Sequence, residues 1–269
     1  MFFILMIAIV VFLYLHIWFQ LKTNNELEVY EIAFQKEKLE EVCNLKQPVL
    51  FDYEDPTLDV DTKEYGSFDV TVCDSNYKKT MVPLEKVMEM KNYALCDNED
   101  FLRDTLLQHQ YTNTDLLLRP PLVCTMSYDL FMGSDQYTTR LQYHNQFRNY
   151  FVVTKGSITV KVTPPRNAKF LNEIKNLETQ EFYSTVNPWK EKTKIKFLEI
   201  TVSKGKMLFL PAYWWYSIRL EKDACVCIFH YRTIMNVAAT LPDVCSGWLQ
   251  RQNKVTPRVN RASSAVSRT

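Results

Sequence analysis

The chain opens on one unbroken apolar run. "MFFILMIAIVVFLYLHIWFQL" (residues 1–21) carries no formal charge. About 20 apolar residues, as a helix rising 1.5 Å per residue, match a hydrocarbon core of ~30 Å. A cleaved signal peptide calls for a basic leader, a shorter apolar core and a small-x-small cleavage site, and none of these is present. The run therefore predicts an uncleaved transmembrane anchor, with His16 and Trp18 at interface depth. Lys22, Lys36 and Lys38 follow it and no cation precedes it. The positive-inside rule then puts the body on the cytosolic side.

After a polar linker at residues 22–29, the pattern changes twice. "YEIAFQKEKLEEVCNL" has apolar positions at helical spacing, and "KQPVLFDY" reads as a short buried strand. "GSFDVTVCDS" alternates as a strand does, "TMVPLEKVMEMKN" predicts a helix started near Pro83, and "DNEDFLRDTLLQHQY" predicts another. From about residue 137 the period is β. "NYFVVTKGSITVKVTPP" places two apolar runs around a tight turn, a hairpin signal. "IKFLEITVSKGKMLFLPAYWWYSIRLEKDACVCIFHYRT" adds four strand-like pieces, which together suggest a closed or sandwich-like β architecture. Residues 30–245 read as one body and residues 246–269 as a basic tail. "RQNKVTPRVNRASSAVSRT" has five cations and no acid, lacks a core pattern and predicts disorder, with anionic lipid or nucleic acid as possible contacts.

Composition removes several function classes. The net charge is +1, so no global field points to a polyanionic partner. Five glycines occur, and no phosphate-cradling glycine loop is among them. The seven cysteines are odd in number and scattered, unlike a secreted disulfide framework. Cys225 and Cys227 share one face of a strand, which suits ordinary core positions.

In order along the chain, three segments carry a resemblance. "FQKEKLEEVCNLKQPVLF", "RNYFVVTKGSITVKVTPP" and "VSKGKMLFLPAYWWYSI" are similar to the opening helix and strand, the central hairpin and the late aromatic turn of the cupin-like, JmjC-related Fe(II)/2-oxoglutarate oxygenases. The resemblance covers most of residues 30–235. It implies a mainly β fold, a double-stranded β-helix (a cupin or jelly-roll barrel) with N-terminal helices, here preceded by one transmembrane helix. It also implies a facial site of two histidines and one carboxylate that leaves room for 2-oxoglutarate and oxygen.

Carried over position by position, that site falls on Tyr143, Asn145 and Tyr216, and the cosubstrate lysine on Ile158. All four depart from the family pattern. A phenol with pKa near 10 is a poor Fe(II) ligand, asparagine lacks the offsetting charge, and isoleucine cannot pair a carboxylate. The expectation is a lost metal site, with the mouth plugged by Tyr143, Trp214, Trp215 and Tyr216. His144, one residue off the ligand position, is expected to face outward. His144, His230 and Glu199 are the alternative ligands for an unorthodox site. Lys155, Lys161 and Arg148 are candidates for a basic mouth that takes an anion.

These readings favour a membrane-anchored, catalytically degenerate module with a structural or interaction role, needing no cofactor and serving a protein partner, with a membrane-bound assembly or a virion as its candidate setting. The alternatives are an Fe(II)/2-oxoglutarate-dependent hydroxylase with an unorthodox site, and a metal-free module that binds a small anion.

Overall fold

The computed structural model describes residues 2–59, 62–87, 89–190 and 195–253. The apolar run is one helix, α1 (Phe2–Leu21). The expected helix at residues 30–45 divides in two. Tyr30–Ala33 forms β1, Lys36–Asn44 forms α2, and β1 lies parallel to β2 (Val49–Asp52). A free sheet edge satisfies the backbone of the first four residues, and that outweighs their weak helical pattern.

The "TMVPLEKVMEMKN" helix is also corrected. Its start belongs to β4 (Lys79–Pro83), antiparallel to β3 (Asp69–Cys73), and only one helical turn, α3 (Leu84–Val87), follows. Pro83 is tolerated there because β4 is an edge strand and needs no outward N–H. β5 (Ala94–Leu95) completes this small sheet on the other side of β3. The next predicted helix breaks at Leu106, where φ is +60°, into α4 (Glu99–Asp104), a 3-10 segment (Leu107–Tyr111) and α5 (Thr112–Leu118).

The remaining strands build two six-stranded sheets. In chain order they are β6 (Val123–Met132), β7 (Gln142–Tyr143), β8 (Arg148–Lys155), β9 (Ser157–Thr163), β10 (Glu173–Asn176), β11 (Glu181–Ser184), β12 (Leu198–Ser203), β13 (Lys206–Pro211), β14 (Trp215–Leu220) and β15 (Cys225–Thr233). The first sheet runs β1-β2-β13-β8-β15-β6 and the second β10-β11-β7-β14-β9-β12. Between them lies a core of Phe151, Val153, Leu208, Val226 and Ile228 against Ile158, Val160, Ile200 and Ile218. The opposite face of the first sheet, including Cys225, Cys227 and Phe229, packs on α2, α4 and α5.

The "KGS" turn is not a hairpin in the sense expected. β8 pairs with β13 and β15, whereas β9 pairs with β12 and β14, so Gly156 passes the chain from one sheet to the other. Its φ is +64°, and a Cβ there would sit 2.7 Å from the Lys222 carbonyl oxygen, so the position needs glycine. After β15 the chain enters α6 (Ile234–Asn253), which continues past residue 245, where the sequence suggested that the body ends. Residues 254–269, the rest of the basic tail, lie outside the described residues.

Candidate functional site

Register decides which side chains enter the barrel. Tyr216 on β14 stands directly opposite Gln142 on β7, and opposed residues share a face. Tyr216 belongs to the core between the sheets, so Gln142 points there too, and its Nε2 donates to the Tyr216 hydroxyl at 3.2 Å. Tyr143 alternates away. Its ring stacks on Phe182 at 4.9 Å, meets Trp215 edge-on at 4.8 Å, and its hydroxyl donates to Glu173 Oε1 at 2.6 Å. Both aromatic partners sit with it in a small separate cluster of their own.

Alternation then brings His144 back inward, which corrects the expectation that it faces out. Its ring lies 4.6 Å from that of His230 and 5.5 Å from that of Tyr216. The family pattern aligns residues 143 and 145 with an inward pair, but in this chain Gln142 of β7 and His144, the residue just after it, are the ones that face the cavity. A one-residue difference in register is enough to exchange the faces. Asn145 is buried elsewhere, where its Oδ1 accepts from Arg232 Nη2 at 2.8 Å.

His230 enters from β15 and is oriented by Asn149 on β8. Asn149 Nδ2 donates to the carbonyls of Leu210 (3.1 Å) and Gln146 (3.3 Å), which fixes its amide. Asn149 Oδ1 is then the acceptor 2.7 Å from His230 Nδ1, so Nδ1 carries the proton and Nε2 keeps its lone pair. Burial holds both imidazoles neutral. His144 is lowered to about 4 by burial, against a smaller opposing pull from Asp97, with Arg232 lowering it further. His230 is lowered well below its ordinary value by burial and by the neighbouring His144. Burial likewise raises the Tyr216 phenol, so it stays protonated.

These groups line a cavity of about 850 Å³ that opens between the barrel and the β3–β5 sheet. Its wall includes Cys73, Cys96 and Asp97 from the small sheet, Asp129 and Phe131 from β6, and Phe151 from β8. Asp97, Glu99, Asp100, Asp129 and Glu181 line it, against Lys79 and Arg140. Both cations are engaged: Lys79 pairs with Asp97 at 2.5 Å and with Glu181, and Arg140 stacks on Tyr77 (5.0 Å) and Tyr183 (4.5 Å). Asp129 accepts from the backbone N–H groups of Asp97, Asn98 and Leu130 at 2.7–2.8 Å, yet burial, seconded by Asp97, raises it to about 7. Cys73 and Cys96 approach to 2.8 Å between sulfurs, and this contact lowers the Cys73 thiol pKa.

The other sequence candidates lie elsewhere. Glu199 is on β12, half-exposed and 3.7 Å from Lys161, and does not reach the histidines. Lys161 also covers Trp189, Lys155 pairs with Asp59 at 2.8 Å, and buried Arg148 makes a two-pronged bond to Glu40 at 2.7 and 3.0 Å. These three cations have three separate partners and do not form one basic mouth. Ile158 is sealed in the core and does not border the cavity.

The four-ring plug is corrected as well. Tyr143 and Tyr216 border the cavity, but Trp214 and Trp215 do not. Trp214 turns toward the α2–β2 connection, where its Nε1 donates to the Lys46 carbonyl at 3.2 Å. Sequence reasoning missed Gln142, Asp129 and the Cys73–Cys96 pair as cavity residues, and Asn149 as the residue that orients His230. Asn149 alone had a local signal, since it opens the strand that served as the family landmark.

The arrangement of a helical cap, a barrel and a polar mouth on residues 30–235 has a counterpart among known families. The family model described as a cupin-like domain matches residues 32–236. The chain belongs to the cupin-like domain family. No curated protein matches it. As a cupin-like domain it carries, at the mouth, the neutral set His144, His230, Tyr216 and Gln142. Among the described residues, no group of three or more His, Cys, Asp or Glu side chains is placed to hold a metal ion.

Proposed function

We propose that this cupin-like chain is a membrane-anchored binding module without iron chemistry, its anchor α1 and its barrel on the cytosolic side. Tyr216 carries the reading. It stands at the family's distal ligand position as a protonated phenol, bonded to Gln142 and beside two histidines that have no free carboxylate between them. Fe(II) in an oxygenase site calls for an anionic oxygen on the same face as two imidazoles. Asp129, a half-buried acid of the cavity wall, has its oxygens taken by three backbone N–H groups. The double-stranded β-helix then serves as a container. Its cavity has the size of a small-molecule site.

The same wall disfavours 2-oxoglutarate and other anions. Its acids outnumber its bases, Lys79 is paired with Asp97 and Glu181, Arg140 is stacked on two tyrosines, and Ile158 is where the cosubstrate lysine would be. A neutral or cationic ligand fits the acids, the aromatic rings and the neutral imidazoles better. This binding role suits a tethered component of a membrane-bound assembly, a virion included.

One observation favours the alternative hydroxylase, namely that His144 and His230 lie side by side with the Nε2 lone pair of His230 available. The deciding experiment uses the full chain in detergent, purified without chelator and without oxygen. Metal analysis and calorimetry with 2-oxoglutarate are expected to give sub-stoichiometric iron and no binding heat, whereas small organic cations raise the melting temperature. Stoichiometric iron, with 2-oxoglutarate turnover abolished by both His144→Ala and His230→Ala, would overturn the proposal.

A further inference from the structure

α6 has two different faces. Asn236 and Thr240 are buried against the barrel, and Asn236 Nδ2 donates to the Asn145 carbonyl at 3.0 Å. Gly247 comes so close to Leu177 that a Cβ would lie 2.1 Å from its carbonyl oxygen, and Arg251 Nε donates to the Glu178 carbonyl at 3.0 Å. These positions are four, seven and four residues apart, one or two helical turns each, and form one polar, small-residue stripe on the body.

The other face carries Leu241, Val244, Cys245, Trp248 and Leu249. The spacing i, i+3, i+4, i+7, i+8 makes a continuous apolar stripe about 140° wide at 100° per residue. It is not covered by the barrel: Leu241 is 49% exposed, Trp248 58% and Leu249 53%. A soluble helix buries such a stripe, and an exposed one with a tryptophan in it marks a contact surface.

What covers it follows from where α6 sits. α6 runs beside α1, and the residues of α1 that lose surface are His16, Ile17 and Gln20, all in its last two turns. The next residues, Lys22 onward, are polar linker held to the body. α6 therefore stands at the level where the anchor leaves the hydrocarbon. The barrel occupies one side of it, and the apolar stripe is on another. The sequence that follows it is basic, which adds attraction to an anionic leaflet.

We infer that α6 lies in the membrane interface beside α1, with Leu241, Val244, Cys245, Trp248 and Leu249 set into the boundary between headgroups and acyl chains. This inference rests on α1 spanning that membrane. The barrel is then held against the lipid surface by two elements, one crossing and one in-plane, at a depth of ~5–10 Å for the second.

Cys245 sits in the stripe and is exposed, as is Cys124 on the body, which allows a direct test. The full chain carrying Cys124→Ser is labelled at Cys245 with an environment-sensitive fluorophore and reconstituted into vesicles of zwitterionic and anionic phospholipid. The emission is expected to shift to the blue and to be quenched more by a shallow lipid-borne quencher than by one at the bilayer centre. The same label at Cys124 in a Cys245→Ser chain stays water-like. Adding Leu241→Asp and Trp248→Asp to the first chain returns its emission to that of water, while near-ultraviolet circular dichroism of the body is unchanged.

A water-like Cys245 signal in the wild-type stripe overturns the inference. So does concentration-dependent cross-linking between Cys245 residues, which would assign the stripe to a second copy. Alkaline carbonate extraction tests α1 separately. A chain that resists extraction with a water-like Cys245 fails the α6 inference alone, and a chain that is extracted fails the anchor reading.

Discussion

At the scale of residues, the mouth of the barrel is a set of titratable groups kept neutral by burial, and their signs differ. His144 has an ordinary value of 6.5 and is held at about 4. Between those values the unfolded chain binds a proton that the folded chain refuses, so acidification destabilises the fold. His230 is lowered too and acts in the same direction. Asp129 is raised from 3.8 to about 7, so across that window the folded chain keeps a proton the unfolded chain lacks, and acidification stabilises. Two histidines oppose one carboxyl, and the wild-type chain is expected to lose stability below pH 6.5. His144→Gln loses less, since it removes a penalty of roughly 2–3 kcal/mol at pH 4, and Asp129→Asn loses more. Melting temperatures between pH 7 and 4 give this order, and parallel curves would contradict it. The same neutrality bears on metals. Tyr216→His would place a third imidazole beside His144, whose ring lies 5.5 Å from that of Tyr216 and 4.6 Å from that of His230, centre to centre. That variant is expected to develop visible absorption with Co(II) at pH 7, and the wild-type chain is not.

At the scale of elements, strands were read more securely than faces. The order of apolar runs in residues 149–233 predicts β8, β9 and β12 to β15, because alternation is a local property of the chain, whereas β6, β10 and β11 carry no such signal. It could not give the face of His144, because that depends on which residue of β7 meets Tyr216 across the ladder. Nor could it place Asp129, Cys73 and Cys96 on the same cavity wall, since they come from β6, from β3 and from the residue just after β5, parts of the chain separated by loops and helices. The "TMVPLEKVMEMKN" helix failed for a related reason. Its first residues have helical spacing, but β3 offers them a ladder. Where a local rule is absolute, the reading holds best. Gly156 has a positive φ and no room for a Cβ at the crossing between sheets. Gly156→Ala is expected to cost about 1–3 kcal/mol or more, measured by denaturant unfolding, while Gly205→Ala, with open space around its Cβ but a φ of +81°, costs less. Equal losses at the two sites would remove the crowding argument.

At the scale of the whole molecule, the body is fastened to the apolar helix α1 by several bonds at its C-terminal end. The segment at residues 22–29 has the composition of a free linker, yet its backbone and side chains meet the body. Lys46 Nζ donates to the carbonyls of Phe19 and Gln20 (3.4 Å), which α1 leaves without helical partners at its C-terminal end, and to that of Lys22 (2.7 Å) just beyond it. Lys46 lies over the Phe19 ring at 4.4 Å, and Trp214 holds the Lys46 carbonyl from below. Asn24 Nδ2 donates to the Leu45 carbonyl, and Gln47 Nε2 to Glu26. Of the aromatic turn, the first tryptophan thus supports the junction with α1 through Lys46, the second serves the outer cluster, and Tyr216 serves the cavity. Trypsin reports on this junction, because Lys22 is cleavable only if residues 22–26 can leave the body. The wild-type chain is expected to be cut slowly at Lys22. Lys46→Ala removes all three bonds to the end of α1 and is expected to speed cleavage several-fold. Trp214→Phe keeps the ring and loses only the bond to Lys46, and falls between the two. Equal rates for all three chains would show a barrel that moves independently of α1, and the rigid seat that brings α6 to the membrane would go with it.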